Sequence, residues 1–124
     1  FFSNYNNIRL IIQTDKINQI LMKCDLAFGA GGINTLERMY YGMPTIVTSI
    51  TKNQEISMKN LSKTNSILYL GLAKNVTIKK LTHVFKDLIN NYKIIKEMSK
   101  NAYKLIDGKG GDRVLKEIIS LCRK

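Results

Sequence analysis

Residues 25–44 read Asp-Leu-Ala-Phe-Gly-Ala-Gly-Gly-Ile-Asn-Thr-Leu-Glu-Arg-Met-Tyr-Tyr-Gly-Met-Pro. The Gly29-Ala30-Gly31-Gly32 turn would bring a ligand close to bare backbone, and a helix would start just after it. The first N–H groups of that helix, at Ile33 to Thr35, would attract a phosphate. The same glycines also suit a strand-to-helix turn that needs them only for its dihedral angles. The segment is neither a Walker loop nor a Gly-x-Gly-x-x-Gly fingerprint. Glu37 lies three residues after Asn34, which is capping-box spacing with Asn34 as N-cap. Alternatively, its carboxylate accepts hydrogen bonds from the two hydroxyls of a ribose. Arg38 pairs with phosphate or stands in solvent.

After the next apolar run comes Thr51-Lys52-Asn53-Gln54-Glu55. An amide pair suits neutral sugar hydroxyls, because each amide offers a donor and an acceptor. The competing reading makes Asn53 a helix N-cap. His83, the single histidine, falls off the apolar stripe of its segment and is read as a surface residue, not a general base. Asp107-Gly-Lys-Gly-Gly-Asp112 is either an anion-binding turn or a flexible link between helices.

The elements that must position these residues follow from periodicity. Residues 8–12, 25–29, 45–48 and 67–70 are short apolar runs and read as strands. Helices are expected from Thr14 or Asp15 to Cys24, from 35 to 41 with Gly42 as its stop, and from Asn53 to Thr64. From Thr77 onward the pattern is helical. Leu81, Val84, Phe85, Leu88 and Ile89 form one stripe; Ile94, Ile95, Met98, Ala102 and Leu105 form another. A last helix is expected from Asp112 to Leu121. Strands alternating with helices imply an α/β fold, a Rossmann-like parallel sheet flanked by helices.

The 124 residues make one domain, 1–124, with 44% hydrophobic content and no apolar run of bilayer-spanning length. Cys24 and Cys122 stand alone, and no export signal is recognisable, so a cytoplasmic location is the default expectation. Phe1 is not Met, and a strand candidate begins almost at once; a fragment of a longer polypeptide is expected. Net charge is +11, of which +10 falls in residues 52–124. Such a field attracts anions, although the lysines are scattered as on solvated helix faces and no basic-aromatic nucleic-acid motif is present. A nucleic-acid-binding domain is kept as the remote alternative.

The run from Cys24 to Arg38, with Gly42-Met43-Pro44, Asn53-Gln54 and the late Asp107-Gly-Lys-Gly-Gly-Asp-Arg-Val114, resembles the C-terminal half of the UDP-sugar hydrolases of pseudaminic acid biosynthesis. These are related to the glycosyltransferase that adds N-acetylglucosamine to the lipid-linked peptidoglycan precursor. Both have the GT-B architecture of two Rossmann-like domains facing a cleft. Leu36 stands where the hydrolases often carry tryptophan. The resemblance implies a C-terminal nucleotide-sugar-binding domain, lacking its own first strand and helix as well as the N-terminal domain. Backbone around Thr14 would face uracil. Amides of Gly31, Gly32, Ile33 and Asn34 would hold the diphosphate, Glu37 the ribose, and Asn53 and Gln54 the sugar. The substrate would be a UDP-linked diacetamido-trideoxy sugar, attacked by water at the anomeric carbon with UDP expelled. The base would lie in the N-terminal domain, with no cofactor or metal implied. The donor-binding domain of a UDP-sugar glycosyltransferase is the alternative.

Overall fold

The computed structural model describes residues 5–123. In chain order it contains α1 (Ile17–Leu21), β1 (Ala27–Ala30), α2 (Ile33–Tyr40), β2 (Thr45–Ser49), α3 (Lys52–Ser62) and β3 (Ile67–Leu72). A 3-10 turn, Ala73–Asn75, then leads to α4 (Ile78–Asn90), α5 (Tyr92–Leu105) and α6 (Gly110–Cys122). The three strands form a parallel sheet in the order β1-β2-β3, with Phe28 opposite Ile46 and Ile46 opposite Leu68. This is an α/β Rossmann-like fold, as the alternation of runs predicts.

The sheet is covered on both faces, so its middle strand is buried throughout. One face packs Val47 and Ile67 against Met39 of α2, Met58 of α3 and Ala102 of α5. The other packs Ile46 and Leu70 against Leu88 of α4 and Met98 of α5. Of the two helical stripes expected after Thr77, Leu88, Met98 and Ala102 are buried, Leu81, Val84, Phe85 and Ile95 pack partly buried against the core, and Ile89, Ile94 and Leu105 stay exposed. α6 lies outside both clusters, and its Val114, Leu115, Ile118 and Ile119 are exposed.

Three expectations are corrected. Residues 8–12 form no strand; the run is irregular, and Ile8, Leu10, Ile11 and Ile12 are exposed. β-Propensity acts through pairing, and no strand of the sheet pairs with this run. The helix expected from 14 or 15 to 24 shrinks to Ile17–Leu21, because the Thr14 hydroxyl accepts from the Lys16 amide (3.0 Å) two residues on and makes a turn instead of a cap. α2 begins earlier than expected, at Ile33, with Gly32 as its N-cap. Asn34 is therefore already inside the helix, and the Asn34–Glu37 capping box does not form.

Candidate functional site

β1 ends at Ala30, and the chain turns through Gly31 and Gly32 into α2 at the carboxyl end of the sheet. In open α/β sheets this end is where ligands bind. Each glycine of the turn has its own physical reason. A Cβ on Gly29 would lie 3.0 Å from Arg38 Nη1, and one on Gly31 would lie 2.7 Å from Met58 Cγ. Gly32 has φ 136 and ψ −160, a region that essentially only glycine enters. The dihedral reading of the glycines thus holds at Gly32, while Gly29 and Gly31 answer to packing.

The turn's amides divide into two sets. The Gly31 amide donates to Thr48 O (2.7 Å), extending the β1–β2 ladder. The Thr35 amide donates back to Gly32 O (2.9 Å). Between them, among the described residues, the amides of Gly32, Ile33 and Asn34 meet no acceptor. These are the orphan donors of a helix N-terminus, and the helix dipole adds positive potential there. Ile33 and Asn34 are exposed, so a ligand can reach them.

Glu37 lies one turn along α2 from Ile33, about 6 Å by the rise of an α-helix. Freed from any capping box, it is exposed and lines a cavity of about 410 Å³ with Leu36, Tyr40, Tyr41, Ile17 and Ile106. An apolar hollow with one carboxylate at its rim suits a flat ring carrying hydroxyls. Thr14 does not line this cavity. It is exposed and opens the turn leading to α1, whose Ile17, Asn18 and Leu21 do line it. The turn at 107–108 reaches the same place from the far end of the chain: a Cβ on Gly108, at φ 72, would lie 2.7 Å from Tyr40 Cε2. Local spacing carries no signal for that meeting. The turn is tied by Asp107, which accepts from both Lys109 N (3.0 Å) and the Arg113 guanidinium (2.7 Å). These bonds hold the Asp107 carboxyl at about 2, below its ordinary value.

The amide pair splits into two roles. Gln54 is half-buried, and its Oε1 accepts from the Ile50 amide (3.0 Å). That leaves Nε2 directed at the glycine turn, 3.8 Å from where a Gly32 Cβ would stand. Asn53 instead takes the Thr51 hydroxyl on its Oδ1, and Thr51, not Asn53, is the N-cap of α3. Gly32, Ile33, Asn34, Gln54 and, one turn away, Glu37 are thus gathered around the start of α2, whereas among the described residues the Thr14 and Asn53 side chains bond only within their own turns, to Lys16 and Thr51. His83 is exposed and pairs with Asp87 on the next turn of α4 (3.3 Å).

Arg38 is the residue that sequence patterns left undecided. Its Nη2 donates to Ala30 O (3.0 Å) and to the Thr35 hydroxyl (3.3 Å), so it grips the last residue of β1 from behind the turn. Its Nε is buried with no acceptor among the described residues. Burial lowers its pKa, and the nearby Glu37 charge partly offsets this.

Fold and site together define a Rossmann-like α/β domain whose glycine turn leaves, among the described residues, the first amides of α2 without acceptors at the carboxyl end of its sheet. The chain is similar to the spore coat polysaccharide biosynthesis protein SpsG of Bacillus subtilis (strain 168), with 29% identity over 106 residues. The match takes in 86% of this chain but 31% of SpsG, so the chain spans about a third of that relative's length. No protein-family profile matches the chain, and neither does any solved structure. Among the described residues no helix is long and apolar enough to cross a membrane. No group of three His, Cys, Asp or Glu side chains among them could hold a metal ion.

Proposed function

We propose that this chain is the UDP-binding part of a sugar-biosynthesis enzyme that hydrolyses a UDP-linked sugar. The observation that carries the reading is the run of three acceptor-free amides, Gly32 to Asn34, one helical turn before an exposed Glu37. The diphosphate takes the amides and Gln54 Nε2, and the two ribose hydroxyls donate to the Glu37 carboxylate. The base rests against the cavity beside Tyr40 and Ile17. Similarity to a polysaccharide biosynthesis protein supports a sugar-related role. Water attacks the anomeric carbon of a diacetamido-trideoxy sugar, the bond to the diphosphate oxygen breaks, and UDP departs. The charge developing on that oxygen meets donors already in place, which lowers the barrier to departure. None of the residues around the turn is placed as a general base. That group belongs to the N-terminal domain of the GT-B polypeptide of which this is the C-terminal domain.

The test has two parts. UDP at a hundred times its dissociation constant stabilises a binding-competent fold by about 2.7 kcal/mol, read as a rise in melting temperature. Glu37→Ala weakens UDP binding by ~1–3 kcal/mol, the worth of one or two hydrogen bonds to a charged group. A folded chain that UDP fails to stabilise rules the reading out. The longer polypeptide, incubated with UDP-sugar alone, releases UDP if it is a hydrolase. Release only on adding an acceptor identifies the donor-binding domain of a glycosyltransferase instead.

A further inference from the structure

We infer that Arg38 is a positioning residue for the anion site: it fixes the glycine turn from behind and supplies the positive charge that the bound diphosphate neutralises. The inference rests on the UDP reading above and names the residue that makes the turn an anion site instead of a plain connector. Three observations carry it. Arg38 Nη2 holds Ala30 O at 3.0 Å, the carbonyl immediately before the turn. Gly29 lacks a Cβ where one would stand 3.0 Å from Arg38 Nη1, so the strand leaves room for the guanidinium. Arg38 makes no ion pair among the described residues, and its buried Nε has no acceptor.

Burial strips Arg38 of hydration that its two Nη2 bonds and the nearby Glu37 charge return only in part, since its Nε–H has no acceptor among the described residues. A diphosphate seated on the neighbouring amides would return it through space. Arg38 and the α2 dipole therefore act on the same ligand, one as a full charge and one as a partial charge. Glu37, the adjacent carboxylate, faces the 410 Å³ cavity instead of closing an ion pair with Arg38. Among the described residues no other cationic side chain is hydrogen-bonded to residues 29–34.

Titrations of the wild-type chain, Arg38→Lys and Arg38→Met with UDP and with uridine, followed by NMR, test this. Arg38→Met loses UDP affinity by roughly tenfold, while uridine affinity stays within about twofold, since a tenfold change corresponds to about 1.4 kcal/mol. Arg38→Lys recovers most of the loss. A purely structural role would weaken both ligands alike, and equal losses overturn the inference. In the wild type, UDP shifts the Arg38 Nε–H resonance and uridine leaves it in place. That readout needs no variant to fold, and a resonance indifferent to bound UDP also overturns the inference. Wild-type protein that binds no UDP removes the functional reading and this inference together. UDP binding retained in full by Arg38→Met removes the inference alone.

Discussion

Gly31 and Met58 are in contact across the two crossovers of the sheet: a Cβ on Gly31 would sit 2.7 Å from Met58 Cγ and 3.1 Å from its Sδ. Met58, on α3, is buried and belongs to the cluster with Val47 and Met39. The glycine at the turn is thus the partner of a methionine twenty-seven residues later (58 against 31).

This contact predicts a specific non-additivity. Gly31→Ala overpacks the site and costs about 1–3 kcal/mol. Met58→Ala leaves a cavity and costs roughly 2–5 kcal/mol. In the double variant the new methyl enters the space that Met58 vacates, so the combined cost falls short of the sum by ~0.5–3 kcal/mol. Denaturant unfolding of the four proteins measures it, and strict additivity would show that the two residues do not share space.

Gln54 separates support from binding. Gln54→Glu keeps an oxygen for the Ile50 amide but replaces the Nε2 donor beside Gly32 with a carboxylate oxygen. Stability stays within about 0.5 kcal/mol, as for substitutions that keep the local bonds. On the proposed reading, UDP binding weakens by about 1.5–3 kcal/mol, because the donor assigned to the diphosphate becomes a like charge. Thermal melts and UDP titration of the one variant read both quantities. Undiminished UDP affinity would show that Gln54 serves the Ile50 amide only.

Acid should release the 107–113 turn late. The Asp107 carboxyl is lowered to about 2 from an ordinary 3.8, first by the Arg113 side-chain bond and then by the Lys109 amide. A depressed folded-state value means that the tie contributes in full above the ordinary value and is lost as pH falls toward the depressed one. The Asp107 carboxyl carbon, followed by NMR, therefore titrates near pH 2 in the folded chain. Asp107→Asn abolishes the ion pair with Arg113 and makes the Tyr40 ring signals, beside Gly108, insensitive to this titration. A midpoint at the ordinary carboxylate value would mean the tie does not form in solution.

Much of this architecture is legible locally. Apolar runs at 45–48 and 67–70 and the helical stripes after Thr77 appear where period and composition put them, because a doubly covered parallel sheet demands continuous apolar strands. The stretch at 25–32 identifies a strand and a glycine turn before a helix from its short apolar run and clustered glycines, although β1 lies at the sheet edge with Phe28 exposed, and its place at the carboxyl end follows from the βα order. The residue types that the proposed site uses, bare amides at a helix start and a carboxylate one turn later, are also local facts, since both belong to a single short helix and its start.

Other features depend on partners distant in the chain. The apolar, β-branched run at 8–12 has the composition of a strand, yet it has no ladder to join. Asn34 and Asn53 have the chemistry of N-caps, but Gly32 and Thr51 hold those positions, because the turn's geometry fixes where each helix can begin. Only packing shows that Gly29 makes room for Arg38, Gly31 for Met58 and Gly108 for Tyr40. The sequence by itself determined which groups are available for binding an anion. The tertiary structure decided which of them are free to do so, because a hydrogen bond or a contact from a remote residue takes a group out of use: Thr48 O claims the Gly31 amide, and Ile50 claims one end of Gln54.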